Sequence, residues 1–157
     1  MNAIEMLLQD HERVRSLARE WGATGDRETE KRDVAAQLLM ELEIHSKLEE
    51  EIFYPAVKAK GGKVVEDVDE GYQEHAQIDQ MVAELKKMDS TTELFSERLQ
   101  ALMGAVEYHV AEEEGEMLPE AQKVLGGEND TLAHQMTQRK QEMLKELAPG
   151  LDSKSSM

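Results

Sequence analysis

Two stretches decide the reading of this chain: His45-Ser46-Lys47-Leu48-Glu49-Glu50-Glu51-Ile52-Phe53-Tyr54-Pro55 and, 64 residues later, His109-Val110-Ala111-Glu112-Glu113-Glu114-Gly115-Glu116-Met117-Leu118-Pro119. Each holds a histidine, a glutamate four residues on, and a proline ten residues after the histidine. His11 and His75 are also 64 residues apart, and each lies 34 residues before the histidine of its own stretch. The chain therefore repeats one plan twice: a segment with one His, then a segment with His-x-x-x-Glu and a late Pro. Four of the five histidines occupy matched positions, and only His134 stands outside the repeat.

The surrounding periodicity is helical. Apolar residues run from Ile4 through Leu7, Val14 and Leu17 to Trp21, and Gly22 to Asp26 breaks the pattern. A second helix is predicted over roughly 28 to 58, ended by Gly61-Gly62. A third carries Val68, Tyr72, Ile78, Val82, Leu85 and Met88, and Asp89 to Thr92 supplies turn and N-cap residues. A fourth runs from Leu94 to about Val124, and a shorter fifth from about Asn129 to Leu147. The predicted architecture is all-α, an up-down-up-down four-helix bundle with an additional C-terminal helix. One domain is expected over 1–148, followed by a disordered tail over 149–157.

Within this pattern the polar residues of the repeat fall on the apolar stripes. Leu38, Leu42, His45, Glu49 and Ile52 follow one another at steps of 4, 3, 4 and 3, as do Leu102, Val106, His109, Glu113 and Met117 at 4, 3, 4 and 4. His11 and His75 sit between apolar neighbours in the same way. Burying two carboxylates among four imidazoles requires protons, hydrogen bonds or a metal to compensate. A single histidine on such a stripe is ordinarily a hydrogen-bonded core residue, and a single His-x-x-x-Glu is ordinarily a surface pair. Six such residues duplicated in register point instead to a shared site.

Composition narrows what that site can be. Among 157 residues, 18 Lys and Arg face 34 Asp and Glu, a formal charge of −16 that disfavours nucleic acid and anionic membranes and attracts cations. No cysteine is present, so any metal must use nitrogen and oxygen ligands. The N-terminus lacks the pattern of a signal peptide, and no apolar run approaches the ~20 residues of a membrane span. A soluble, cytoplasmic protein is expected.

Four imidazoles and two carboxylates exceed the needs of one tetrahedral zinc and suit two metals. With two histidines on each and both glutamates bridging, every metal has four protein ligands; an oxo, hydroxo or water bridge makes five and leaves one octahedral position for a small ligand. Such a shell suits non-haem iron, with manganese and zinc left open. Ferritin-type bundles use four carboxylates and Glu-x-x-His, so this chain reverses both order and ratio.

The arrangement of His11, His45-x-x-x-Glu49, His75 and His109-x-x-x-Glu113 resembles the hemerythrin-like HHE cation-binding family over roughly residues 4 to 125. That resemblance implies a four-helix bundle with a non-haem di-iron centre ligated by His11, His45, Glu49, His75, His109 and Glu113. Oxygen-carrying hemerythrins have a fifth histidine ligand and a His-x-x-x-x-Asp motif, whereas position 114 here is Glu114, so the resemblance does not extend to reversible oxygen carriage. Members with the symmetric pattern are associated with iron or oxygen sensing, nitric-oxide and stress responses, and peroxide breakdown. Two functions follow as expectations: a di-iron protein that binds or reacts with oxygen or peroxide, with catalase-like turnover as its enzymatic form, or a non-enzymatic sensor or store of iron, oxygen or nitric oxide. The metals would carry the chemistry; no catalytic side chain and no protein partner are assigned.

Tyr54 breaks the symmetry, since its matched position is Leu118. The segment around it resembles that of some hemerythrin-like proteins in which a tyrosine lies beside the site. On an ideal helix Tyr54 stands about 140° from Glu49, so a tyrosine packed against the fifth helix competes with a phenolate ligand. Tyr72 and Tyr108 flank His75 and His109 as hydrogen-bond donors or core residues. Glu50 and Glu114 read as solvated faces that lend negative potential, the methionines as core, and His134 as lying off the apolar face of its helix.

Overall fold

The protein was described by a computed structural model, which defines residues 1–147; the expected domain limit at 148 and the tail at 149–157 lie outside the described residues. Helix α1 (Ala3–Gly22) starts at a reciprocal cap, in which the Glu5 backbone N–H donates to the Asn2 side chain at 2.9 Å and the Asn2 N–H donates to the Glu5 carboxylate at 3.0 Å. The second long helix comprises α2 (Glu28–Leu48), a π-helical turn (Glu49–Phe53) and α3 (Tyr54–Lys58). Gly61 and Gly62, at φ of 72° and 79°, adopt the left-handed conformation that turns the chain into α4 (Val64–Lys86). Thr92 caps α5 (Glu93–Glu112) by accepting from the Phe95 N–H at 3.2 Å. A second π-helical turn (Glu113–Met117) and α6 (Leu118–Leu125) complete the fourth long helix, and α7 (Glu128–Leu147) follows Gly126. The predicted bundle with its additional C-terminal helix is the one observed, and no helix among the described residues is long and apolar enough to cross a membrane.

Both π turns have a cause in the sequence. Pro55 and Pro119 carry no backbone N–H and cannot close an ordinary turn on the residue four back. In each case the residue just before proline reaches one residue further instead, Tyr54 N–H donating to the Glu49 carbonyl and Leu118 N–H to the Glu113 carbonyl.

The core lies in two parts. One apolar cluster gathers Leu7, Leu48, Phe53, Val68, Leu118, Met136 and Met143, and the other Leu17, Trp21, Leu38, Leu85, Phe95 and Leu102. Along α1 and α4 the chain passes from the first cluster to the second, and along α2 and α5 it returns. Each helix places its repeat histidine, with Glu49 or Glu113 where present, between the two. Helix α7 packs on α1, α2 and the first π turn. Of the methionines expected in the core, Met117, Met136 and Met143 are buried, while Met6, Met40, Met81, Met88 and Met103 are half-buried at the cluster edges.

Candidate metal centre

The polar layer between the clusters contains His11, His45, Glu49, His75, His109 and Glu113, all buried, with Glu49 at 0 % exposure. Glu49 Oε1 lies 3.0 Å from His45 Nε2 and 3.1 Å from His75 Nε2. Glu113 Oε1 lies 3.2 Å from His11 Nε2 and 3.3 Å from His109 Nε2. Each glutamate therefore reaches one histidine of either half. Donor atoms of Glu49, His75, His109 and Glu113 form one group compact enough for a cation, and those of His11, His45 and Glu113 form another, with Glu113 common to both.

Despite these short approaches, His11 Nε2, His45 Nε2, both Glu49 carboxylate oxygens and Glu113 Oε1 are buried without a hydrogen-bond partner. An unsatisfied buried donor or acceptor costs about 1–3 kcal/mol, and more when charged. Lone pairs converging on common points without hydrogen-bond geometry are what a set of cation ligands presents, so the donor set fits a metal.

The outer ring nitrogens are all engaged. His11 Nδ1 meets Glu114 at 2.8 Å, His45 Nδ1 meets Asp10 at 3.0 Å, His75 Nδ1 meets Glu50 at 3.1 Å, and His109 Nδ1 meets Glu74 at 2.6 Å. A carboxylate at Nδ1 fixes the ring so that Nε2 presents its lone pair inward. This corrects the reading of Glu50 and Glu114 as solvated faces: both are half-buried and orient histidines of the other hairpin. Asp10 and Glu74 are themselves 64 residues apart and directly precede His11 and His75. The matched acids were a usable signal.

Tyr54, left open between packing and ligation, reaches into the same layer. The ideal-helix angle placed it far from Glu49, but the intervening π turn brings it round. Its hydroxyl donates to Glu113 Oε2 at 2.7 Å and lies 3.2 Å from His75 Nε2 and 3.3 Å from His109 Nε2. Tyr72 donates to the Glu50 carbonyl at 3.1 Å and packs edge-on against Tyr54, whereas Tyr108 points outward at 63 % exposure and contacts no histidine of the site. His134 is exposed on α7, as expected.

Charge coupling in the layer is strong. Burial lowers the pKa of His109, but Glu113 and Glu49 outweigh it and push the value up to about 11; the same opposition, with Glu49 and Glu50, pushes His75 up to about 9. His45 is likewise held well above its ordinary value by Glu49 and Asp10 against the effect of burial. Burial, followed by Glu49 and Glu113, raises the Tyr54 phenol.

Against the histidines lies a small cavity walled by Val14, Leu42, Ile78, Val106 and Val110. Its volume of about 20 Å³ admits one water-sized molecule.

The hemerythrin HHE cation-binding domain model matches residues 2–121. An uncharacterized protein of Mycobacterium tuberculosis, Rv2633c, is 27 % identical over 119 residues, covering 76 % of this chain and 71 % of the relative. A DNA nickase of Nostoc is 26 % identical over 128 residues, covering 82 % of this chain but only 36 % of that protein. Among solved structures, a hemerythrin HHE cation-binding domain-containing protein from Mycobacterium kansasii, a homologue of Rv2633c, superimposes with a TM-score of 0.76 at 24 % identity, covering 91 % of this chain and 87 % of the other.

Proposed function

Since the chain belongs to the hemerythrin HHE cation-binding family, we propose that it is a non-haem di-iron protein that breaks down hydrogen peroxide. His11 and His45 would hold one ion and His75 and His109 the other, with Glu49 and Glu113 within reach of both pairs and the Tyr54 hydroxyl beside the second. The observation that carries this reading is the set of orphaned inward-facing atoms on His11, His45, Glu49 and Glu113. When bound, two irons would supply a two-electron redox couple, sufficient for 2 H2O2 to give O2 and 2 H2O.

The protein's own residues support the chemistry in three ways. Carboxylates at the four Nδ1 atoms keep the imidazoles oriented. Apolar side chains line the small cavity beside the histidines, which has room for one water-sized molecule. The Tyr54 hydroxyl oxygen lies 2.7 Å from Glu113 Oε2, and the proton it donates there can be transferred or shared as charge at the site changes.

Metal analysis and oxygen evolution test the proposal together. Protein purified from iron-replete cells should contain two irons per chain and evolve oxygen from peroxide, and the metal-free protein should be inert. Stoichiometric zinc without iron would overturn the redox reading. Two irons with no turnover above free iron would leave a non-enzymatic sensor or store of iron, oxygen or nitric oxide.

A further inference from the structure

The two halves of the site differ most at one pair of positions. In the second half a glycine, Gly71, is buried in the middle of α4, where its φ is not positive and helical geometry makes no demand for glycine. A Cβ there would stand 2.9 Å from the Tyr54 hydroxyl oxygen, 3.0 Å from Cζ and 3.2 Å from Cε2. Gly71 is the space that Tyr54 occupies. In the repeat, the position matching Gly71 is Leu7 and the position matching Tyr54 is Leu118, both buried in one apolar cluster. One half thus combines a large polar residue with no side chain; the other combines two leucines.

A difference in charge runs the same way. Of the carboxylates at the first pair of histidines, Glu114 lies 3.6 Å from Arg15 and Asp10 lies 3.6 Å from Lys140 of α7. At the second pair, Glu74 is grouped with Glu70 and Glu112, and Glu50 neighbours Asp79. Cations offset the acids of one half, and further acids reinforce those of the other.

We infer that Gly71 is a positioning residue which, by seating Tyr54 in one half only, makes the two cation positions unequal, so that the first ion is taken at His75, His109 and Tyr54 and the second at His11 and His45. The inference rests on the proposed pair of ions and adds their order. Tyr54 and the surplus of acids both favour the His75 position, whereas Leu118 and Leu7 give the other position nothing beyond its imidazoles and the shared glutamates.

Stepwise titration of metal-free protein with ferrous ammonium sulfate tests this: calorimetry without oxygen reads the two affinities, and visible absorption after dioxygen has oxidised each addition to ferric iron reads the phenolate band. The phenolate-to-iron band should be complete at one equivalent and unchanged by the second, with stepwise affinities differing by at least about tenfold. Tyr54→Phe should abolish the band and bring the two affinities together. Gly71→Ala should lose the break at one equivalent while keeping its helical circular dichroism. Should that variant fail to fold, Gly71→Ala combined with Tyr54→Phe, which lacks the nearest clashing atom, should fold and bind two ions without order. The reciprocal exchange, Leu7→Gly with Leu118→Tyr, should let the band grow across both equivalents. A band rising evenly to two equivalents in the unaltered protein, or an undisturbed break in folded Gly71→Ala, would overturn the inference while leaving the di-iron reading intact. Fewer than two ions bound would overturn both.

Discussion

Glu114 and His11 are 103 residues apart in the chain and meet at 2.8 Å, tying the start of the first hairpin to the end of the second. Replacing Glu114 with Gln or Ala should lower metal affinity about 10–100-fold, as is typical for residues that orient a ligand. Glu50→Gln should do the same through His75. Chelator competition measures both, with Glu142→Gln on the exposed face of α7 as the unaffected control.

The glutamates between the two histidine pairs should behave more severely. Glu49 and Glu113 each approach imidazoles of both halves, so Glu49→Ala or Glu113→Ala should reduce bound metal at both positions. Inductively coupled plasma analysis of the purified variants would read this as a loss exceeding one ion per chain. Loss of one ion alone would show that the altered glutamate serves a single position.

Metal-free protein should lose stability as pH rises from neutral. His75 and His109 have folded pKa values of about 9 and about 11 against an ordinary 6.5. Their stabilising contribution is therefore complete below about 6.5. Above that value the folded state retains protons the unfolded chain has shed, and each costs about 1.4 kcal/mol of stability per pH unit until its folded pKa is passed. Urea unfolding at pH 6.5, 8 and 9.5 should show the decline. Metal-loaded protein, whose imidazoles are already deprotonated, should show a flatter profile.

Removing the metal should itself lower the thermal midpoint. A bound cation would satisfy the orphaned atoms at His11, His45, Glu49 and Glu113, and a ligand held by the folded state alone stabilises it by mass action, about 2.7 kcal/mol at a hundredfold excess over Kd. Differential scanning calorimetry before and after chelation measures the change. His134→Ala should leave it unaltered, since that side chain is exposed on α7.

Much of this was legible in the sequence, because helical periodicity and a 64-residue repeat are both properties of spacing. The bounds of the long helices and the convergence of six polar residues follow from counting. Tyr54 did not, because counting assumed an ideal helix and Pro55 forces a turn wider by one residue. Pro119 repeats the effect before Leu118, so the paired prolines were themselves the sign of altered register. Glu50 and Glu114 lie off the apolar stripe, so spacing gives them a solvated face, and only the packing of one hairpin on the other brings them to His75 and His11. Tyr108 shows the opposite failure: adjacency to His109 in sequence means a different face of the helix in space.

The division of the core into two apolar clusters has a consequence for how the molecule opens. All four long helices cross the histidine layer, which joins the clusters through charged and polar groups rather than through continuous hydrophobic packing. In the metal-free protein the layer is a seam along which the cluster under α7 and the cluster around Trp21 can loosen as separate cooperative units. The proposed pair of cations, held between them by residues from every long helix, would act as a rivet through that seam. Amide hydrogen exchange should then fuse two protection classes into one on loading.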